Sequence, residues 1–178
     1  MQTSFYSECE LQEIGFLSVG KNVLISRKCS IYSPEKISIG NNVRIDDFCI
    51  LSGSIKLNSN IHISAYCALY GAKGIELMDY TGMSPRSTIF SAMDDFSGEY
   101  LIGPVNPIEK THVTGGKVIL ERFVQLGAST IVFPNLILNE GCVTGAFTLV
   151  NHDLDSWSIY IGQPARFLKN RKHISLEE

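Results

Sequence analysis

The chain has 178 residues, of which 44% are hydrophobic and 19% charged, so it can form one domain with a sizeable core and is too apolar to be disordered. Fifteen Lys and Arg against eighteen Asp and Glu give a net charge of −3, which argues against a nucleic-acid binder. No apolar run reaches the roughly 18 residues of a membrane span, and residues 1–5 do not begin a secretion signal. We therefore expect a cytoplasmic protein that binds neither nucleic acid nor membrane.

A step of six residues connects aliphatic side chains through much of the chain. One series contains Ile39, Ile45, Leu51, Leu57, Ile63, Leu69 and Ile75. A later series contains Leu120, Leu126, Val132, Leu138, Thr144 and Val150. A helical period of 3.6 cannot produce this, and a simple strand would not keep phase for so long. The pattern predicts a hexapeptide β-solenoid, in which stacked hexads each point one large and one small side chain inward.

The five cysteines fit the solenoid better than a disulfide framework or a zinc site. Their number is odd, and they form no C-x-x-C pair. Four occupy the small inward position of a hexad, namely Cys29, Cys49, Cys67 and Cys142. We expect these four to be buried thiols, with Cys49 and Cys67 stacked if three hexads make one coil. The four histidines are scattered, so we expect no metal site.

Two segments break the repeat. A loop at about 94–117 contains prolines, glycines and acids, and loops of this length in a compact domain are usually functional or disordered. The alternative is a tolerated insertion.

We divide the chain into a solenoid domain at 1–165 and a basic tail at 166–178. We expect the tail to be a short helix that is either solvated or binds phosphate. Residues 5–14 predict a short helix that caps the first coil.

Two glycine–alanine pairs lie eighteen residues apart, Gly127-Ala128 and Gly145-Ala146. With three hexads per coil they would lie one above the other and leave a strip with little side-chain bulk. An extended chain with amide groups, such as the pantetheine arm of coenzyme A, could run along this strip. The alternative is that turns simply favour glycine.

The hexads IGNNVR (39–44) and LGASTI (126–131) resemble those of the hexapeptide-repeat acyltransferases. This resemblance implies an all-β fold, a left-handed parallel β-helix with three hexads per coil and a long loop between coils. It also implies a homotrimer that binds acetyl-CoA or another acyl-CoA, and no metal, in a groove between subunits. The segment GQPAR (162–166) matches the family, and it implies that Pro164, Arg166, Lys169 and Arg171 bind the cofactor together with the glycine–alanine strip.

Many sugar O-acetyltransferases of this family have a general-base histidine where this chain has Asp94. A sugar hydroxyl is weakly acidic and gains much from imidazole, whereas a neutral amine is already a good nucleophile. The presence of aspartate in place of this histidine therefore favours an amino acceptor. An O-acetyltransferase is the alternative enzyme, and a non-catalytic solenoid scaffold is the alternative from another class.

The segments IGFLSVG (14–20), AMDDFSG (92–98) and WSIY (157–160) resemble N-acyltransferases that act on dTDP-4-amino-4,6-dideoxyglucose. The resemblance covers nearly the whole chain, and it implies a nucleotide-sugar acceptor used in surface glycan or polysaccharide synthesis. It also implies Asp94 as base or amine anchor and Ser84 as a second catalytic residue. Further candidates for acceptor binding are the loop residues Asp95, Glu99, Tyr100 and His112. Of the two acids we favour Glu99, and His112 could enter from a neighbouring subunit or be structural.

Overall fold

Short parallel strands stack on three faces of a prism in the computed structural model, which describes residues 4–174. Face 1 contains β1 (Ser18–Val19), β4 (Ile37–Ile39), the second halves of β6 (Ile50–Leu57) and β8 (Ala68–Leu77), β13 (Val118–Leu120) and β16 (Ile137–Leu138). Face 2 contains β2 (Val23–Ile25), β5 (Val43–Ile45), β7 (Ile61–Ile63), β9 (Gly82–Met83), β14 (Gln125–Leu126), β17 (Val143–Thr144) and β19 (Ser158–Ile161). Face 3 contains β3 (Ser30–Tyr32), the first halves of β6 and β8, β10 (Thr88–Phe90), β15 (Ile131–Val132) and β18 (Leu149–Val150).

The six-residue series forms the core, as predicted. Every member of both series is buried, and none exposes more than 2% of its surface. The small positions between them are buried as well, among them Cys49, Cys67 and Cys142. Because successive coils repeat after about three hexads, each inward side chain packs on its counterparts in the coils above and below. The stack thus supplies the hydrophobic core that a single coil could not form.

Ile75 is inward for a different reason than the count of six suggests. β6 and β8 pair as Ile55 with Ile75 and Leu57 with Leu77, so this coil has twenty residues where the previous one has eighteen. The two extra residues lie at the corner near Gly74, whose φ of +100° suits glycine. A shift of two keeps the side chain on the inner face of a strand. Ile75 therefore takes the small inward position, and Leu77 takes the large one.

The prediction of buried thiols is confirmed for Cys49, Cys67 and Cys142, but it is wrong for Cys29, which is only partly buried because it lies in the first coils near the open end of the stack. Cys49 lies one coil from Cys67, and their Sγ atoms donate to the carbonyls of Ser64 and Ser84 at 3.1 and 3.2 Å. Burial is the main cause that raises the pKa of Cys142 to about 12, so this thiol stays protonated. All five cysteines are free.

The N-terminal helix is also confirmed, as α1 (Glu8–Glu13). Ser7 and Glu10 form a capping box, in which the Ser7 side chain accepts from the Glu10 N–H and Glu10 accepts from the Ser7 N–H. Leu11 is buried against the first coil. The helix therefore covers apolar surface that the terminal coil would otherwise expose.

The predicted loop is more ordered than the sequence suggested. Its two ends pair as an antiparallel hairpin, β11 (Ala92–Asp94) with β12 (Val113–Gly115), and a 3₁₀ helix at Ile108–Lys110 lies between them. The irregular segment is therefore 95–112. The hairpin matters for function because it fixes the position of Asp94 at the edge of face 3.

The prediction of a C-terminal helix was wrong. Arg166–Asn170 is a strand, β20, which pairs antiparallel with β19 at the last edge of face 2. An unpaired sheet edge exposes N–H and C=O groups, and a strand satisfies them where a helix would not. The prediction for 175–178 lies outside the described residues. Within residues 4–174, no helix has the length and hydropathy to cross a membrane.

Candidate active site

Asp94 borders a small apolar hollow beside face 3. The hollow has a volume of about 300 Å³ and is lined by Phe90, Ala92, Met93, Asp94, Phe96 and Phe133. Asp94 ends strand β11 and pairs with Val113 across the hairpin. Among residues 4–174, no side chain or backbone donor contacts its carboxylate. The hairpin thus presents a carboxylate that is free to meet a ligand.

The neighbouring Asp95 is tied into the loop. Its Oδ2 lies 3.0 Å from His112 Nδ1, and its Oδ1 accepts from the Ser97 N–H at 2.7 Å. The hydrogen bond from His112, followed by those from Ser97, lowers the pKa of Asp95 to about 2. The Tyr100 ring packs on the His112 ring with centroids 4.8 Å apart. Three of the four loop residues predicted for acceptor binding therefore meet in one cluster.

The fourth, Glu99, lies apart from this cluster. Its backbone N–H donates to Ser97 Oγ at 3.2 Å, and its side chain is exposed. The structure thus gives Asp95 a fixed position and leaves Glu99 facing solvent.

Ser84 lies on a different side of the molecule from Asp94. It follows β9 on face 2 and lines a polar hollow of about 260 Å³. None of the residues around Asp94 contributes to this hollow. One copy of the chain therefore holds the two predicted catalytic residues at separate sites.

The stacking of the glycine–alanine pairs is confirmed. The Gly127 N–H donates to the carbonyl of Thr144 at 3.0 Å, and Ala128 accepts from Phe147 N–H at 2.8 Å. A Cβ on Gly127 would lie 2.5 Å from the Gly145 carbonyl carbon. Neither glycine has a positive φ, so turn geometry does not explain them. Glycine is required because two coils approach closely at this point. The strip therefore carries little side-chain bulk.

The basic residues of the tail divide into two groups. Arg166 and Lys169 are exposed on β20. Arg171 instead donates from Nη1 to the carbonyls of Phe123 and Gly141, at 2.9 and 2.8 Å. Arg171 therefore braces the tail against the solenoid. Pro164 lies in the exposed turn that leads into β20.

Sequence reasoning missed an ordered network on face 2. His62 lies one coil above Ser84, and Asp46 and Arg44 lie two coils above it. Asp46 accepts from Arg44 Nε at 2.7 Å and lies 2.8 Å from His62 Nε2. Partial burial raises the pKa of Asp46, but the hydrogen bonds from Arg44 and His62 outweigh this effect. The pKa of Asp46 therefore lies below its ordinary value. In the sequence His62 is one of four scattered histidines, although the six-residue count, which gives it an outward position, could have indicated that it lies on the surface above Ser84. Across residues 4–174, no cluster of three His, Cys, Asp or Glu could hold a metal ion.

Comparison with a distant solved structure defines the fold. The hexapeptide-repeat containing acetyltransferase VCA0836 of Vibrio cholerae superposes with a TM-score of 0.63 at 17% identity, covering 94% of this chain and 79% of that one. At this identity the likeness shows the fold alone, which is a left-handed β-helix. No protein-family model matches the chain.

Closer relatives define the family. The dTDP-4-amino-4,6-dideoxy-D-glucose acyltransferase of Escherichia coli is 40% identical over 98% of this chain and 92% of its own length. AntD, an N-acyltransferase of Bacillus cereus, has a TM-score of 0.94 at 54% identity, with 97% of this chain and 93% of that chain covered. The chain belongs to the dTDP-4-amino-4,6-dideoxyglucose acyltransferase family, which confirms the resemblance, including the left-handed coil.

Proposed function

We propose that this protein transfers an acyl group from acyl-CoA to the amino group of a nucleotide-linked 4-amino-4,6-dideoxyglucose. The observation that carries the proposal is the carboxylate of Asp94, which the hairpin holds at the edge of an apolar hollow and which has no hydrogen-bond partner among residues 4–174. An amine requires an anchor and a proton acceptor, and a free carboxylate can serve as both.

The structures of AntD support this assignment. AntD has been solved with dTDP-4-amino-4,6-dideoxyglucose and coenzyme A as an S84C variant, and with dTDP and coenzyme A as a D94N variant. The chain described here has serine at 84 and aspartate at 94. At 54% identity over nearly the whole chain, we assign the same acceptor class and the same two positions to this protein.

The proposed reaction is a direct acyl transfer. The neutral amine attacks the thioester carbonyl, and a tetrahedral intermediate with a negatively charged oxygen forms. Ser84 or a backbone N–H donates to this oxygen. Asp94 holds the amine and accepts its proton, which then passes to the departing sulfur as the C–S bond breaks. The products are the amide and free coenzyme A.

Coenzyme A would lie along face 2 below Ser84. The strip formed by Gly127-Ala128 and Gly145-Ala146 has so little side-chain bulk that a pantetheine arm could approach the backbone. The exposed Arg166 and Lys169, with Pro164 in the turn before them, would meet the phosphates. Arg171 would act by holding β20 in place, because its guanidinium is occupied by two backbone carbonyls.

The separation of Ser84 from Asp94 supports a homotrimer. Three prisms that meet at the corner between faces 2 and 3 leave a wedge between each pair of neighbours. Each wedge then has face 2 of one protomer, with Ser84, opposite face 3 of the next, with Asp94. Cyclic symmetry repeats this site three times. The loop residues Asp95, Glu99, Tyr100 and His112 would cover the wedge and contact the acceptor.

We further place the protein in the cytoplasm, where acyl-CoA and nucleotide sugars are made, and its product in the synthesis of surface polysaccharide. The 22% identical relative WbbJ of Escherichia coli, described as a putative lipopolysaccharide biosynthesis O-acetyl transferase, is consistent with that setting. It also represents the alternative, which is acylation of a sugar hydroxyl.

An acceptor assay separates the two reactions. Purified protein receives acetyl-CoA or 3-hydroxybutyryl-CoA with dTDP-4-amino-4,6-dideoxyglucose or with its 4-hydroxy counterpart, and thiol release is measured. We expect release with the amino sugar at a rate at least roughly a hundredfold above that with the hydroxyl sugar, because the amine is the better nucleophile without an imidazole base. Acylation of the hydroxyl sugar alone would contradict the proposal, and so would no release with either acceptor.

A further inference from the structure

Face 2 changes in character at Ser84. Strand register places five residues at the same outward position in successive coils, and these are Asp46, Ser64, Ser84, Gly127 and Gly145. Below Ser84 the position is glycine, which leaves the bare strip described above. Above Ser84 it holds hydroxyl and carboxylate groups. The two halves of the face therefore suit different ligands.

The hollow above Ser84 has the chemistry of a carbohydrate site. Its polar lining includes Asn60, His62, Ser64, Ser84 and Gln125, which offer amide, hydroxyl and imidazole groups. Gly82 forms the floor, and a Cβ there would collide with the Gln125 carboxamide that lies across it. Gln125 is itself fixed, since its Nε2 donates to the Tyr80 carbonyl at 2.9 Å. At about 260 Å³ the hollow holds part of a nucleotide sugar, such as the hexose and its phosphates.

The network around His62 suits an anion. His62 Nε2 lies 2.8 Å from Asp46, so Nδ1 remains for a ligand. Arg44 compensates the charge of Asp46, and the three groups together carry no net negative charge. The imidazole is half exposed and has a fixed orientation, which lowers the entropy cost of meeting a phosphate.

We propose that the hollow between His62 and Ser84 binds the sugar and diphosphate of the acceptor, with His62 contacting the diphosphate. The inference rests on the proposed function, because it uses Ser84 as the point where both substrates meet. Both substrates are long, so they approach that point from opposite directions along the face. Coenzyme A occupies the glycine half, and the acceptor occupies the polar half.

The test measures dTDP binding by calorimetry on the intact protein. His62→Phe removes the ring nitrogen that is proposed to bind the diphosphate, and it is expected to raise the Kd for dTDP roughly tenfold or more. His62→Gln can still donate a hydrogen bond and should retain most of the affinity. His152→Phe changes an exposed histidine whose ring contacts Asn151, outside the hollow, and should leave the Kd within about twofold of wild type. Coenzyme A binding, measured on each variant, verifies that the fold is intact.

A second pair of variants makes the test independent of His62. Ser64→Asp places a negative charge in the hollow and is expected to weaken dTDP binding roughly tenfold or more, whereas the neutral Ser64→Asn should weaken it far less. His62→Phe and Ser64→Asp proteins that bind coenzyme A normally and dTDP within twofold of wild type would overturn the proposal.

The failure of this inference differs from the failure of the proposed function. If wild-type protein acylates the amino sugar and the His62 and Ser64 variants keep its KM, the hollow is assigned wrongly and the function stands. If dTDP binds through His62 but no acyl group is transferred to the amine, the hollow stands and the function fails.

Discussion

Asp94→Asn is expected to lower kcat by roughly a thousandfold, within the range that general acid–base groups contribute. The amide keeps the shape of the side chain but cannot accept a proton from the attacking amine. Asp94 contacts no donor in the described part of the chain, so its substitution breaks no structural hydrogen bond. The loss should therefore appear in turnover, with the melting temperature and coenzyme A affinity close to those of wild type.

The measurement is steady-state thiol release at saturating acyl-CoA and amino sugar, together with calorimetry of coenzyme A binding. Glu35→Gln is a matched control, because it neutralises an exposed carboxylate in the 3₁₀ helix at Pro34–Lys36, on a distant coil. It should retain wild-type turnover. Near-normal activity of Asp94→Asn would refute the role of Asp94 as base.

Mixing two inactive variants is expected to restore activity if neighbouring protomers share the site. Ser84→Ala removes a hydroxyl that donates to the oxyanion, which should cost roughly a hundredfold or more. When Ser84→Ala and Asp94→Asn chains are unfolded together and refolded at equal amounts, about one interface in four pairs an intact Ser84 with an intact Asp94. Activity should then rise to about a quarter of that of wild-type protein treated in the same way.

The control is the same mixture without refolding, in which subunits do not exchange and activity stays at the sum of the two variants. Refolding of each variant alone should give no increase. A refolded mixture that shows only the summed activity of its parts would place Ser84 and Asp94 in the same protomer's site, or would remove Ser84 from the reaction.

The repeat made the core predictable because stacked hexads allow few solutions. Any side chain in phase with Ile39 or Leu120 had to point inward for the stack of coils to be stable. The count of six also placed Ile75 inside, but its partner could not be predicted, since the extra residues near Gly74 follow from pairing between coils. Local sequence determines the direction of a side chain here, while register depends on the neighbouring strand.

The tail and the loop were harder to predict because their structure depends on distant residues. The basic residues of 166–172 resemble a solvated helix until the unpaired edge of face 2 is considered. The contact between Asp95 and His112 joins residues seventeen apart and requires the hairpin that closes the loop. His62 becomes a candidate for ligand binding only because it lies above Ser84 on face 2. Each of these features depends on how segments pair or stack in the folded chain, which the order of residues alone does not display.

A crystal structure with coenzyme A and dTDP-4-amino-4,6-dideoxyglucose bound tests the central claim most directly. The account predicts the sugar amine within hydrogen-bonding distance of Asp94 from one protomer and next to Ser84 from its neighbour. The pantetheine arm should follow Gly127 and Gly145, and the diphosphate should lie by His62. An acceptor bound away from Asp94, or a complex in which one protomer supplies the whole site, would contradict it.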